Sequence, residues 1–316
     1  MRRVALIYNP ASGQHSARRA GAVEDALAVL RGAGIAVEAF ESNTAEKGAA
    51  YTREAVRQGF DTVIACGGDG TVHEILQSLV GTEVALGVVP LGTANALAAD
   101  LGLLGSPAKV ARILLEATPV RVPVGRIHYQ DSAGNPGSRF FTVAAGMGAD
   151  ALLMSRLDTR LKRRLGYILY LVEALRIWAT HPFPFFEAAF TTNGSDARRV
   201  EEVSQLIAVR VRSFGGVVRK LAPGATLHNG SLRLVAFRTR SRLRYLKFLL
   251  AVVAGRHTFS REIELVDTYS VECRACNGSE IPILVEADGE VLGSLPARIE
   301  VVPEALTLLI PSHAEP

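Results

Sequence analysis

The sequence predicts an α/β domain built on a parallel sheet, followed by a β-rich domain. Three apolar runs in the first third each break at a turn of glycine and short polar residues before a helical stretch, which is the strand-turn-helix rhythm of a parallel sheet. From Arg121 onward the texture changes to short alternating runs separated by turn signals. At 316 residues the chain is long for one domain and comfortable for two, with apolar content for both cores.

Residues 4–8, Val-Ala-Leu-Ile-Tyr, form the first strand and break at Asn9-Pro10-Ala11-Ser12-Gly13, before a helical stretch carrying Val23, Leu27 and Leu30. A second strand is expected near 35–40 and a third over 61–66. The third closes at Gly67-Gly68-Asp69-Gly70-Thr71 and opens an amphipathic helix with Val72, Ile75, Leu76 and Leu79. A fourth, 84–89, ends at Pro90-Leu91-Gly92-Thr93-Ala94-Asn95 ahead of an alanine-rich stretch up to Leu101.

Paired glycines let main-chain amides and a helix N-terminus approach a phosphate closely, although a tight turn needs glycine for steric reasons as well. Ser12, Thr71, Thr93 and Asn95 are short donors suited to phosphate oxygens, and any one alone reads more readily as a helix cap. In an open α/β sheet the carboxyl ends of the strands share one edge where ligands bind, so the three turns jointly predict a nucleotide phosphate site, with Asp69 as its acid.

The first domain is expected over residues 1–122. Beyond it, strands are predicted over 139–144, 185–191, 203–211, 232–238, 263–265 and 281–286, interrupted by helices around 165–179 and 243–254. That spacing points to a sandwich-like β domain over 123–302.

These motifs, in this order, resemble the diacylglycerol kinase catalytic-domain family, the bacterial lipid kinases related to sphingosine and ceramide kinases. Asn9 to Gly13 is similar to that family's first phosphate loop, Thr44-Ala45-Glu46-Lys47-Gly48 to its nucleotide-contacting segment, and Gly67 to Thr71 to its signature. Pro90 to Asn95 matches the third loop, Gly146-Met147-Gly148-Ala149-Asp150-Ala151 a fourth, and Ala222-Pro223-Gly224-Ala225 and Asp288-Gly289-Glu290 the second-domain motifs. The resemblance implies an N-terminal Rossmann-like α/β nucleotide-binding domain, a C-terminal β-rich sandwich-like domain, and a last strand, 306–310, returning to the first domain with residues 303–316. It implies ATP and Mg²⁺ as cofactors and γ-phosphoryl transfer to a lipid hydroxyl, diacylglycerol-like first of all.

By the same resemblance Glu290 is the general base, with Asp288 in reserve, although Asp-Gly between β-like runs is first of all a hairpin signal. Asn9, Pro10, Ser12, Gly13, Thr44, Gly67, Gly68, Gly70, Thr71, Thr93 and Asn95 are the expected nucleotide contacts, and Asp69 organises Mg²⁺, directly or through water. An accessory metal would rest on Thr226, Asn229 and Ser231, where Asn229 stands in place of the family's aspartate. Ala96 and Ala99 likewise stand where many members carry Asp and Arg.

Net charge +4 and a pI near 9.1 are modest, so the distribution of charge matters more. Arg156, Arg160, Lys162, Arg163 and Arg164 lead into Leu165, Ile168, Leu169 and Leu171, and Arg238, Arg240, Arg242, Arg244 and Lys247 lead into Phe248-Leu249-Leu250. Basic clusters beside apolar faces suit an anionic membrane surface, at on the order of 1 kcal/mol per cation, and equally a core helix with a solvated flank. Nucleic acid is not an expected partner, because the runs lack interleaved aromatic platforms. A homodimer is left open.

No run reaches the roughly 20 apolar residues of a membrane span, and Arg2-Arg3 before 4–7 is too short for a secretory signal. Three cysteines suit a reducing cytoplasm, and the pair Cys273 and Cys276 lacks a second pair to complete a zinc site. The expected location is cytoplasmic, peripheral to the inner face of the membrane. Two alternatives stay open: an NAD kinase-like enzyme, which shares a Gly-Gly-Asp-Gly turn, and a catalytically weak membrane-surface binding protein.

Overall fold

Four apolar runs become parallel strands in the computed structural model of the chain: β1 (Arg3–Tyr8), β2 (Ala36–Glu41), β3 (Thr62–Gly67) and β4 (Ala85–Pro90). The structure describes all residues except 11–15, 93, 158–166, 193–196, 215–220, 255–261, 277–280 and 313–316. The chain divides into two units, Met1–Val124 with Pro303–Pro316, and Gly125–Val302.

In the first unit the strand order is β15-β4-β3-β1-β2, where the end of β15 (Glu290–Ile310) lies parallel to β4 through Thr307 opposite Ala85. Every residue of β3 is buried, as expected for a central strand covered on both faces, whereas the edge strand β2 is mostly exposed. The helices α1 (Ser16–Gly32) and α3 (Asp69–Leu79) cover the sheet with stripes at helical spacing: Val23, Ala26, Leu27 and Leu30 on one, Val72, Ile75, Leu76 and Leu79 on the other. Local capping fixes where α2 (Ala45–Arg57) and α5 (Pro107–Leu115) begin. The side chains of Thr44 and Ser106 accept the N–H of Lys47 and Lys109, each at 3.3 Å. The order β2-β1-β3-β4 means that the chain steps outward in one direction from β1 and then in the other, so the topological switch falls between β1 and β3.

The second unit is antiparallel. One branch runs β12 (Ile263–Thr268), β11 (Leu232–Phe237), β10 (Gln205–Val209), β7 (Ala144–Gly148), β14 (Leu284–Ala287) and β15, and from β15 a second runs through β13 (Ser270–Ala275), β8 (Phe186–Thr191) and β9 (Arg198–Val203). Its core alternates along each strand, as in Leu206 and Ala208, Leu232 and Leu234, Phe186 and Ala188, Val271 and Cys273, which is the signature of a packed sheet face.

Two differences from the sequence reading have physical reasons. The single run expected over 139–144 is two strands, β6 (Pro136–Phe141) and β7, because the amides of the break are bonded by a side chain from far along the chain. The strand β9, Arg-Arg-Val-Glu-Glu-Val, is an edge strand whose charged face hides it from an apolar pattern. The helices expected near 165–179 and 243–254 are Tyr167–Thr180 and Arg242–Val253, joined by the Trp178 indole N–H donating to the Arg242 carbonyl at 2.8 Å.

Candidate active site

The ends of β1, β3 and β4 stand side by side in the first unit because these strands are neighbours that run the same way. Main-chain bonds carry the register just beyond the strands: Asn9 N–H donates to the Cys66 carbonyl at 3.3 Å and Leu91 N–H to the Gly67 carbonyl at 2.7 Å. Glycine is required where the second and third turns touch, since a Cβ on Gly92 would lie 2.7 Å from the Gly68 Cα. Thr71 folds back over Gly67, where a Cβ would meet its Oγ1 at 2.5 Å.

Asn95 adopts φ +50 and closes its own turn. Its Nδ2 donates to the Gly92 carbonyl at 2.7 Å and its Oδ1 accepts the Gly92 N–H at 3.0 Å. Asp69, in the first turn of α3, accepts the N–H of Asn95 at 2.9 Å through one carboxylate oxygen and that of Ala96 at 2.8 Å through the other. One charged side chain therefore ties the turn after β4, and the start of α4 (Ala96–Asp100), to the turn after β3. Gly68 is the N-cap of α3 and has no side chain to cap it, while its carbonyl accepts the Thr71 N–H at 3.0 Å; a helix N-terminus of this kind suits an anion.

Asn9, Pro10, Gly67, Gly68, Gly70, Thr71 and Asn95 all lie on these turns, at the topological switch. Ser12, Gly13 and Thr93 lie outside the described residues. Thr44 follows the neighbouring strand β2, where Ser42 N–H donates to the Tyr8 carbonyl at 2.8 Å, and its hydroxyl serves as the cap of α2.

In the second unit Asp288 and Gly289 have φ +49 and +85 between the paired residues Ala287 and Glu290, a two-residue type I′ hairpin turn. The Asp288 carboxylate accepts the N–H groups of Thr142, Val143 and Ala144 at 3.0, 2.9 and 3.1 Å, and its own N–H donates to the Ala144 carbonyl at 2.8 Å. Asp288 thus anchors the turn, while Glu290 at the head of β15 is exposed.

A buried carboxyl pair that the sequence reading did not single out stands beside this turn. Glu286, 3% exposed, lies opposite Gly146 and hydrogen-bonds Asp150 in the first turn of α6 (Ala149–Arg156). A Cβ on Gly146 would lie 2.2 Å from Asp150 Oδ2 and 2.9 Å from Glu286 Oε1, so the glycine makes room for the pair. Asp150 is part exposed as a residue, but its carboxyl is enclosed there. Desolvation pushes it up to about 6, and desolvation with the Asp150 charge holds Glu286 well above its ordinary range. Glu286 Oε2 also accepts the Gly289 N–H at 2.8 Å, so the pair holds the hairpin from behind. The sequence signals were Glu286 two residues before Asp288 and the glycines flanking Met147.

The three residues expected around an accessory metal take part in hydrogen bonds of the loop itself. The carbonyls of Ser231 and Asn229 accept from the Arg210 guanidinium at 3.2 and 3.0 Å, and the Thr226 carbonyl accepts the Asn229 N–H at 3.1 Å. The Asn229 side chain donates its Nδ2 to the Gly224 carbonyl at 3.1 Å. Arg210, a lone cation in an apolar run, had drawn no functional reading.

Comparison with known proteins agrees with both units. The family model described as the diacylglycerol kinase catalytic domain matches residues 3–127, and that of the YegS C-terminal NAD kinase beta sandwich-like domain matches 142–310. A diacylglycerol kinase of Mycobacterium tuberculosis is 31% identical over 98% of this chain and 96% of its own length. A YegS-like lipid kinase of Chromohalobacter salexigens is 32% identical over 84% and 80%. Among solved structures, a diacylglycerol kinase of Bacillus anthracis superposes with TM-score 0.71 at 18% identity over 99% of this chain and 98% of its own, and a yeast NADH kinase with TM-score 0.53 at 10% identity over 98% and 83%. Those two likenesses are of fold.

Two outcomes follow from this geometry. Asp69→Asn leaves one of the two amides facing an NH₂ group, so denaturant unfolding is expected to show a loss of about 1–3 kcal/mol, together with weaker ATP binding. The second concerns pH. Because the folded Asp150–Glu286 pair binds protons that the unfolded chain releases near its ordinary carboxyl values, their contribution to stability is present at low pH and lost as pH rises through about 6. Unfolding curves between about pH 4 and about pH 7 should fall less steeply for Glu286→Gln than for the natural chain.

Proposed function

The chain belongs to the diacylglycerol kinase catalytic-domain family, and from that premise we propose that it transfers the γ-phosphoryl group of ATP to a lipid hydroxyl. The observation that carries this reading is the alignment of the ends of β1, β3 and β4 at the topological switch, with the turns after β3 and β4 joined by Asp69. Phosphoryl transfer asks a protein mainly for positioning and charge neutralisation. Main-chain amides of these turns hold the triphosphate. Mg²⁺, bound with the nucleotide, would supply neutralisation of phosphate charge. Asp69 brings a carboxylate to the junction of the turns after β3 and β4, which suits a water-mediated contact to that ion.

In the reaction the lipid oxygen bonds to the γ-phosphorus as the bond to the β-phosphate oxygen breaks, and ADP leaves. Glu290, exposed and carried on a hairpin held by Asp288, accepts the hydroxyl proton. A diacylglycerol-like acceptor is the first candidate, as the name of the M. tuberculosis relative suggests.

Such an acceptor stays in a bilayer, and the second unit has a surface suited to meeting it. Val172 and Leu175 on the helix Tyr167–Thr180, and Leu243 and Leu250 on its partner Arg242–Val253, are 53%, 48%, 59% and 60% exposed. No helix among the described residues is long and apolar enough to cross a membrane, so contact through these helices is peripheral, on the inner face where ATP is present. The basic run contributes less than its sequence suggests. Arg238 pairs with Glu201 and Glu264, Arg244 pairs with Glu262 at 2.6 Å, and Arg240 stacks over Phe185 at 4.3 Å. Of the other run, Arg160, Lys162, Arg163 and Arg164 lie outside the described residues.

The test is direct. With γ-labelled ATP and Mg²⁺, dioleoylglycerol in mixed micelles should give labelled phosphatidic acid. Label appearing only on NAD, with none on dioleoylglycerol, sphingosine, ceramide or phosphatidylglycerol, would overturn the reading. Glu290→Gln should keep ATP binding and lose roughly 10²-fold in lipid phosphorylation. Asp288→Asn should instead lower the melting temperature. Replacing Leu243 and Leu250 by Asn should raise the apparent KM for micellar lipid roughly 10-fold or more, the scale of removing two leucines from an apolar phase, with the KM for ATP unchanged.

A further inference from the structure

We propose that the guanidinium of Arg210 is the resident cation of the loop 222–231, occupying the place of the accessory divalent ion that the family resemblance implies. Arg210 is 0% exposed and follows β10 directly. Its Nη1 donates to the Ser231 carbonyl at 3.2 Å, and its Nη2 donates to the carbonyls of Leu227 and Asn229, each at 3.0 Å. Three main-chain oxygens converging on one positive centre is what a hard cation asks of a protein loop, and here the centre is a side chain.

The expected ligands do not fit an added ion. The Ser231 carbonyl, one of the three expected ligands, goes to the guanidinium, as does the main-chain carbonyl of Asn229, and a divalent ion beside those oxygens would stand against a like charge in a desolvated place. Asn229 supplies no negative charge to offset this, and its Nδ2 is turned to the Gly224 carbonyl. Burial lowers Arg210 only to about 10, so it is cationic at neutral pH. The other end of the loop is gripped in the same way. Arg233, bonded by both oxygens of Asp267 at 2.8 and 2.5 Å, donates to the Pro223 carbonyl.

The position has a mechanical consequence. Arg210 N–H donates to the Val143 carbonyl at 2.9 Å, and Val143 N–H donates to Asp288 at 2.9 Å. The guanidinium therefore links the loop 227–231 to the segment that anchors the turn before Glu290, a link that needs no exchangeable metal.

The experiment is a set of melting curves on the full chain without nucleotide, so that its outcome is independent of which acceptor is phosphorylated. The natural chain should melt at the same temperature in EDTA and in excess MgCl₂ or CaCl₂, and equilibrium dialysis with Mn²⁺ should find no tight site. Arg210→Ala combined with Asn229→Asp removes the resident charge and supplies a carboxylate. That variant should melt lower in EDTA and recover as Mg²⁺ or Ca²⁺ is added, because only a ligand of the native state raises its stability. If the variant is unfolded in EDTA, folding on adding the ion counts as the same recovery. A rise in the natural chain's melting temperature with Mg²⁺ alone, abolished by Asn229→Ala, would overturn the proposal, as would tight Mn²⁺ binding that Asn229→Ala removes.

Discussion

The shape of the proposed nucleotide site depends on the carboxylate of Asp69 reaching from the first turn of α3 to the N–H groups of Asn95 and Ala96. Parallel strands bring turns to a common edge, but they do not dictate how neighbouring turns pack. Here the packing has no slack, since Gly92 and Gly68 meet backbone to backbone. A charge-assisted pair of bonds holds the turn after β4 in its one allowed position, and the left-handed Asn95 completes it.

The second unit repeats the device. Asp288 gathers three consecutive amides at the break between β6 and β7, and Glu286 with Asp150 holds the same hairpin from behind. Arg210 does with carbonyls what the aspartates do with amides. In each case an ionised or proton-sharing side chain satisfies backbone groups where no regular hydrogen-bond ladder can, which buried loops require. Residues that read as chemical candidates in sequence are partly framework, and Asp288 is the clearest case, with Glu290 free at the head of the strand it positions.

Much of this was legible beforehand. The strands β1 to β4 lie where apolar runs and glycine turns placed them, and the Asp-Gly hairpin is where that dipeptide signalled it. What escaped was long-range. The bond from Asp288 to Thr142 spans 146 positions, and nothing local to 139–144 announces a break there. The meeting of Asp150 and Glu286 depends on the pairing of β14 with β7, and the edge strand β9 is too charged for an apolar pattern. The partners of the basic run 238–247 were hidden for a related reason. Arg238 and Arg244 find acidic partners on Glu201, Glu262 and Glu264, far from them in the chain or hidden by the strand pairing.

The central claim is that the Asp69-bound turns receive the nucleotide. Hydrogen-exchange mass spectrometry with and without a non-hydrolysable ATP analogue and Mg²⁺ tests it, with calorimetry on the same samples to confirm binding. The account predicts slowed exchange over residues 67–71 and 91–96, where the amides become bonded to phosphate or are locked by its arrival. Bound analogue with unchanged exchange in both segments would contradict it.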